Sequence, residues 1–284
     1  MAALIDLRRR IRSVRNTRQI TRAMKLVSGA KLRRAQEVML ASRPYSATMI
    51  EMLASLATRA NPEEHPLLKV KGDQNVELMV VTSDKGLAGA FNSNLIKAAV
   101  AFLNERKRLD LSLHLVGRKG YEYFRKRKYT ITEKYLNVFR KVEPQFANVI
   151  AQHTIDAYLK GNLDAVYIIY NEFKSALAQN IVVRRLLPLE RLPEASVEQT
   201  LDYIYEPEPA VIFDRLLPKY LEVIILQALL ESSAAEHAAR MAAMDMATKN
   251  ATEVIDGLTL KMNKIRQAAI TKEIIEVVSG AAAL

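Results

Sequence analysis

The chain has 284 residues, half of them apolar, and contains neither cysteine nor tryptophan. This composition predicts a folded core and excludes a disulfide framework, thiolate catalysis and thiolate metal sites. The formal net charge is +11, and residues 1–59 carry 13 Lys and Arg against 3 Asp and Glu, a balance of +10. Such an asymmetry predicts an anionic partner for this segment, and nucleic acid, anionic lipid and an acidic protein surface are all candidates.

The first predicted element is a long helix over residues 1–58. Its first four apolar residues step by three and four, which is typical of a coiled coil. The pattern predicts that Ile20, Met24 and Val27 continue on a shifted face. We expect Pro44 to kink the helix or to weaken it. The complete set of predicted inward residues is Leu4, Leu7, Ile11, Val14, Ile20, Met24, Val27, Ala35, Val38, Ser42, Tyr45, Met49, Met52 and Leu56.

Residues 59–208 are predicted to form a central domain. Strand-like runs at residues 76–83, 111–116, 165–171 and 181–187 alternate with helical segments, and residues 129–131 are a weaker strand candidate. This alternation predicts a Rossmann-like α/β domain with a mostly parallel sheet covered by helices.

A second long helix is predicted over residues 209–284. Its predicted inward positions keep a seven-residue repeat and are Leu221, Ile225, Ala228, Ser232, Ala235, Ala239, Ala242 and Met246. The two terminal helices leave the same central domain, so we expect a long antiparallel two-helix coiled coil. The C-terminal helix is longer, so its apolar end, from about Ile265, is predicted to be an unpaired tip that requires a surrounding partner.

The sequence predicts no catalytic, cofactor-binding or metal-ligating residues. The turn at residues 83–89 has the glycines of a phosphate-binding loop but not their order, so a tight strand-to-helix turn is favoured. The four histidines lack metal-site spacing, and the basic cluster at residues 125–128 is typical of a solvated helix end. We see neither a signal peptide nor a membrane span, so we expect a protein that is soluble or peripheral to a membrane.

Five stretches resemble the gamma subunit of the rotary F-type ATP synthase. They are NTRQITRAMKLV at 16–27, SDKGLAG at 83–89, LDYIYEPEP at 201–209, EHAARMAAM at 236–244 and NKIRQAAITKEI at 263–274. The resemblance implies a non-catalytic rotor shaft at the cytoplasmic face of a bacterial plasma membrane. This shaft would turn inside the alpha and beta subunits and rest on the c-ring and the epsilon subunit. It would couple transmembrane ion flow to ATP synthesis or hydrolysis on beta.

The resemblance also implies roles for single residues. Met24 and Lys25 would face an acidic region of beta, and Arg240, Gln267 and Thr271 would contact loops around the shaft. Tyr205, Glu206 and Glu208 would lie on the side of the c-ring and epsilon. The family often has an acid where this chain has Lys25, a lysine where it has Asp245, and Gln where it has Lys272.

Two other classes of protein stay as alternatives. A coiled-coil nucleic-acid-binding scaffold would use the basic N-terminal helix and would bind duplex at physiological salt. A nucleotide-using α/β enzyme would use the turn at residues 83–89 and would show turnover by the isolated chain.

Overall fold

The computed structural model describes residues 2–57, 65–106, 108–175, 179–189, 206 and 208–282. They form two compact units. The two-helix unit holds the residues up to Gly29 and those from Arg240 onward, and the sheet unit runs from Ala30 to Ala239. None of the helices in this described part of the chain is both long and apolar enough to cross a membrane.

Two long helices bracket the chain, as the sequence predicts. Helix α1 spans Ala2–Ala57 and helix α5 spans Pro209–Ala282. Each contains one internal proline, Pro44 in α1 and Pro218 in α5, and the helix continues on both sides of it. A proline inside a helix lacks one backbone N–H donor, so one hydrogen bond is lost locally without ending the element.

In the two-helix unit, α1 and α5 form an antiparallel pair. Thr21 contacts Thr248 and Lys25 contacts Asp245, so rising numbers on α1 meet falling numbers on α5. The inward residues of α1 repeat every three or four residues, as in a coiled coil; they are Leu4, Leu7, Ile11, Val14, Arg18, Thr21, Lys25 and Ser28. The predicted two-helix coiled coil is therefore confirmed.

The predicted shift of this inward face is wrong. Ile20 is 60% exposed and Val27 is 57% exposed, because the original repeat continues without interruption through polar residues. On α5, Met246 is also exposed, Ala239 and Ala242 are only half-buried, and the inward face passes through Met244, Thr248, Ala251 and Ile255.

The sheet unit holds a five-stranded sheet in the order β3-β2-β1-β4-β5. The strands are β1 (Asn75–Val81), β2 (Asp110–Val116), β3 (Thr130–Tyr135), β4 (Ala165–Phe173) and β5 (Gln179–Leu187). Only the β4–β5 pairing is antiparallel. The shorter helices are α2 (Phe91–Glu105), α3 (Arg118–Phe124) and α4 (Pro144–Leu159), with a 3-10 turn at Val138–Arg140. The predicted mostly parallel α/β sheet is confirmed, and β3 extends beyond the predicted residues 129–131.

Each face of the sheet has its own core. Val76, Leu78 and Val80 of β1 pack with α2, whereas Met79 and Val81 face α4 and segments of both long helices. The part of α5 in this unit is buried on several sides, because residues 228–236 are all buried. On the part of α1 in this unit, the buried residues are Leu32, Met39, Met49, Leu53, Ala54, Ser55 and Leu56. Val38 and Tyr45, predicted to point inward, are exposed because the inward face passes through Ser42 and Ser46.

Candidate functional site

The pairing face of the two-helix unit has a polar centre. Lys25 Nζ lies 2.6 Å from Asp245 Oδ1, and Lys249 Nζ lies 3.4 Å from Asp245 Oδ2. The hydrogen bonds from Lys25 and then Lys249 hold the pKa of Asp245 below its usual value, against the opposing effect of desolvation. The Lys25 and Asp245 side chains are 43% and 33% exposed, so water screens the pair.

One helical turn away, two threonines connect the helices. Thr21 Oγ1 and Thr248 Oγ1 are 2.8 Å apart, and the Thr248 hydroxyl also donates to the carbonyl of Met244 at 2.7 Å. A hydroxyl carries one proton, so Thr248 accepts from Thr21 when it donates to Met244. Small polar residues at inward positions set the register of a helix pair more specifically than they increase its stability.

The outward side of α1 carries an apolar stripe. Ile20, Met24 and Val27 step by four and three residues, which places them on one helix face. Ile20 and Val27 are exposed, and Met24 is half-buried. The sequence pattern had placed these three residues on the inward side of α1, after a shift of its inward face. An apolar stripe left in water on a regular helix is typical of a surface that meets a partner.

An arginine-rich groove lies nearer the start of α1. It encloses about 700 Å³ between α1 and α5, and its walls include Arg8, Arg9, Arg12, Arg15 and Met262. None of these arginines forms an ion pair within the described residues. The positive charge of the N-terminal segment is therefore presented to the outside, as an anionic partner requires.

The far end of α5 is apolar and exposed. Every described side chain from Thr271 to Ser279 is exposed. The large apolar residues in this end are 49–71% exposed; they are Ile270, Ile274, Ile275, Val277 and Val278. The last half-buried residue is Ala269, so the continuously exposed end begins at Ile270, a few residues later than the sequence predicts. We name residues 270–279 the apolar tip.

The residues assigned from the resemblance lie in both units. Met24, Lys25, Arg240, Gln267 and Thr271 are in the two-helix unit, and Glu206 and Glu208 are in the sheet unit. Gln267 and Thr271 are exposed, with the Thr271 hydroxyl donating to the Gln267 carbonyl at 3.0 Å. Arg240 is buried.

The assigned acidic residues stand at the start of α5. Glu206 and Glu208 are exposed, and the carbonyl of Glu208 accepts from the backbone N–H groups of Val211 and Ile212. Tyr205 lies outside the described residues.

The turn at residues 83–89 is occupied by its own hydrogen bonds. The Asp84 carboxylate accepts from the backbone N–H groups of Arg118, Asn137 and Phe139, and Asn92 accepts from that of Ser83. A carboxylate of the chain thus takes donors that a phosphate would need. Leu87 and Gly89 adopt positive φ angles of 63° and 56°, as a tight turn requires.

The basic cluster at residues 125–128 is similarly engaged by its own chain. The Arg127 guanidinium lies 3.3 Å from the centre of the Tyr123 ring, and Arg125 lies 5.7 Å from that of Tyr121. These tyrosines are therefore covered by arginine rather than free to stack on a base. In the described part of the chain, no group of three or more His, Asp or Glu residues could hold a metal ion.

Two very long helices pair around a polar centre and expose an outward apolar stripe and an apolar tip. These features define a protein that acts by contacting partners.

Comparisons with known proteins identify the family to which the chain belongs. A family model described as ATP synthase matches residues 3–284. The gamma chain of Solibacter usitatus ATP synthase is 52% identical, with 100% of this chain and 99% of that protein covered. The gamma chain of Pelotomaculum thermopropionicum is 48% identical over the full length of both. The chain belongs to the ATP synthase gamma chain family.

Two solved structures have the same fold. A chain in the central stalk and c-ring structure of Tetrahymena thermophila mitochondrial ATP synthase is 26% identical, with a TM-score of 0.61 over 80% of this chain and 99% of that chain. A chain in the Euglena gracilis mitochondrial ATP synthase structure is 19% identical, with a TM-score of 0.71 over 99% of this chain and 94% of that one. The second similarity covers nearly the whole chain and therefore includes both the long helices and the sheet.

Proposed function

We propose that this chain is the central-stalk rotor shaft of a bacterial ATP synthase. It rotates inside a hexamer of alpha and beta subunits and couples ion flow through the c-ring to ATP synthesis or hydrolysis on beta. The chain itself is non-catalytic. The apolar tip is the observation that carries this proposal, because five large apolar residues exposed on one helix end mark a surface that a surrounding partner buries.

The contacts along the shaft are proposed from the geometry of the two-helix unit. Met24 belongs to the outward apolar stripe, and exposed Gln267 and Thr271 flank the start of the apolar tip. Lys25 reaches beta while its ammonium stays near Asp245, because both side chains keep part of their surface in water. Buried Arg240 supports the helix pair and presents only a small part of its side chain to a partner.

The base of the shaft is proposed to lie where α5 begins. Exposed Glu206 and Glu208, together with Tyr205, would contact the c-ring and the epsilon subunit. The proposed domains are residues 1–58, 59–208 and 209–284. The chain would act as a peripheral protein at the cytoplasmic face of the plasma membrane, held there by its partners.

The test is assembly of the catalytic complex from co-expressed subunits. Alpha and beta subunits from the same source are expressed with and without this chain, and ATP hydrolysis is measured after purification. We expect a stable, active complex only when the chain is present. A complex of equal size and activity without the chain would contradict the proposal. Active hydrolysis by the chain alone would contradict its non-catalytic role.

We do not favour the alternative of a nucleic-acid-binding scaffold. The segment with the excess positive charge has no aromatic residue before Tyr45, so α1 offers no stacking platform beside its arginines. The family membership also gives that alternative no support.

A further inference from the structure

The sheet unit contains a polar cleft that the proposed function does not use. The cleft lies between α4 and the amino-terminal ends of β1, β2 and β3, and it encloses about 810 Å³. This volume is within the range of small-molecule sites in proteins. The side chains that carry the argument are Glu77, Ser112, His114, Glu133, Asp156 and Lys160. We name this region the amino-end cleft.

The floor of the cleft is polar where a covered sheet face is normally apolar. Along β1, Glu77 shares a face with Met79 and Val81, and those two residues are in the core beneath α4. Ser112 is the register partner of Glu77 on β2, and His114 follows on the same face. The chain thus places a carboxylate, a hydroxyl and an imidazole side by side on a covered surface, which costs free energy unless they are satisfied.

The hydrogen bonds of these groups are incomplete. Glu77 and His114 side chains are 4% and 1% exposed, and His114 Nδ1 lies 3.6 Å from Glu77 Oε1. Thr132, at an irregularity in the β2–β3 pairing, donates to Glu77 Oε2 at 2.5 Å. His114 Nε2 and Ser112 Oγ are buried and have no hydrogen-bond partner within the described residues. With Nδ1 directed at the carboxylate, Nε2 is left as the acceptor of the ring.

The charge of the cleft is negative. Burial raises the pKa of Glu77, but the hydrogen bonds that its carboxylate accepts from His114 and Thr132 outweigh burial, and the net pKa is lowered. Among the described residues Glu77 has no lysine or arginine within ion-pair distance. The walls add Asp110, Glu133 and Asp156 against a single Lys160.

We propose that the amino-end cleft binds a small organic cation of the ammonium or amidinium class. Such a ligand brings both positive charge and N–H donors, which match the negative walls and the unpartnered acceptors at His114 Nε2 and Ser112 Oγ. A directly coordinated metal ion is not favoured, because these residues form no three-ligand group within the described chain. The site is separate from the pairing of α1 and α5 in the two-helix unit.

The test is a binding titration of the full-length chain, read without any ATPase measurement. Putrescine is the probe, and 1,4-butanediol is the neutral control of equal length. The readouts are calorimetry and the side-chain NMR resonances of His114 and His153. We expect saturable binding of putrescine that shifts both histidines, and no response to butanediol. Glu77→Gln should weaken binding by at least about tenfold, since a buried charged partner is removed. The exposed Glu105→Gln, on the last turn of α2, should bind as the unaltered chain does.

A second variant keeps the test decisive if Glu77→Gln disturbs folding. Asp156 is an exposed wall residue, so Asp156→Asn should fold normally and weaken putrescine binding by about two- to threefold. Unchanged affinity in Asp156→Asn would overturn the proposal. Equal binding of butanediol, a non-saturable response, or the same histidine shifts with magnesium chloride alone would overturn it as well.

Discussion

Lys25 of α1 and Asp245 of α5 form an ion pair between the two long helices. The resemblance implies an acid at position 25 and a lysine at position 245, the reverse of the charges found here. The structure places the two side chains 2.6 Å apart on opposite helices, so exchanging the two charges would leave opposite charges facing each other. Water screens an ion pair that is this exposed, so its main effect is on register rather than on stability.

A charge-exchange series tests this interpretation. Lys25→Asp places like charges opposite each other and should lower the thermal midpoint of the free chain, whereas Lys25→Asp with Asp245→Lys should restore most of the loss. The expected coupling between the two sites is favourable but small, because water screens the pair. Lys31→Asp, an exposed position outside the pair, is the matched control. Additive effects in the double variant would show that the two side chains do not interact.

The weakness of the contacts that Lys25 makes has a consequence for rotation. Contacts that are made and released during rotation must be individually weak, since a deep ion pair would hold the shaft in one position. We therefore expect an assembled complex with Lys25→Ala to retain most of its ATP hydrolysis, measured as steady-state turnover. The proposed picture of weak contacts is wrong if this one change removes nearly all activity.

Glu231 gives the sheet unit a specific pH dependence. The side chain is buried on α5, Gln227 donates to Oε1 at 3.1 Å, and burial raises the pKa of the carboxyl. A raised pKa in the folded state means that the folded chain binds this proton more tightly than the unfolded chain does. The stabilisation is therefore complete below the unfolded pKa and is lost as the pH rises through the folded pKa.

Replacement of Glu231 by glutamine should remove this dependence. We expect Glu231→Gln to increase the free energy of unfolding relative to the unaltered chain at pH 8 but not at pH 4, as measured by urea unfolding. Glu253→Gln, at an exposed position of the same helix, should leave the difference between the two pH values unchanged. Identical pH profiles for Glu231→Gln and the unaltered chain would contradict the assignment.

At the scale of the elements, the sequence predicts the order and type of structure but misplaces part of one helix face. The type is clear because glycine is rare in the long helices, with Gly29 in α1 and Gly257 and Gly280 in α5, and because the strands are short apolar runs between turns. The inward face of α1 was misassigned because hydrophobicity favours Ile20, Val27, Val38 and Tyr45, which lie outward. The inward residues that were missed are Thr21, Lys25, Ser28 and Ser46, whereas Ser42 was correctly predicted to point inward. Extending the three-and-four repeat of the first four apolar residues predicts them, so the usable signal was the continuity of the repeat.

The functional residues also divide into those that the sequence predicts and those that it misses. The apolar tip could be predicted because composition and helix length are both visible in the sequence. The ion pair of Lys25 with Asp245 could not, since it depends on the register between two helices that are far apart in the chain. The amino-end cleft was also missed, because the four histidines were considered only for metal-site spacing. The available signal was Glu77, an acid inside an otherwise apolar strand.

Two adjacent residues of α1 test the corrected face. Met39 is buried and Val38 is exposed, whereas the sequence pattern predicted the reverse. Met39→Ala should lower the free energy of unfolding by about 2–5 kcal/mol because it leaves a cavity. Val38→Ala should change it by no more than about 0.5 kcal/mol. Both values come from urea unfolding followed by circular dichroism, and a larger loss for Val38→Ala would restore the original prediction.

At the scale of the whole chain, its surface is unsuited to a free existence in water. The N-terminal segment carries most of the net charge, and its arginines in the groove have no acidic partner within the described residues. The apolar tip adds large hydrophobic side chains at the opposite end of the sequence. Charge that attracts a partner over distance and apolar surface that becomes buried on contact are complementary features of an assembled subunit.

Removal of the tip separates its role in partner binding from any role in folding. A chain that ends at Ala269 should keep the thermal midpoint of the full chain, since the described side chains from Ile270 to Ser279 are exposed. The same truncation should reduce the binding of a hydrophobic dye and the self-association of the free chain, because the exposed apolar surface is gone. Ile274→Ser with Val278→Ser keeps the length and should reproduce both reductions. A lower thermal midpoint in either variant would mean that the tip stabilises the free chain, and the inference that it needs a surrounding partner would then fail.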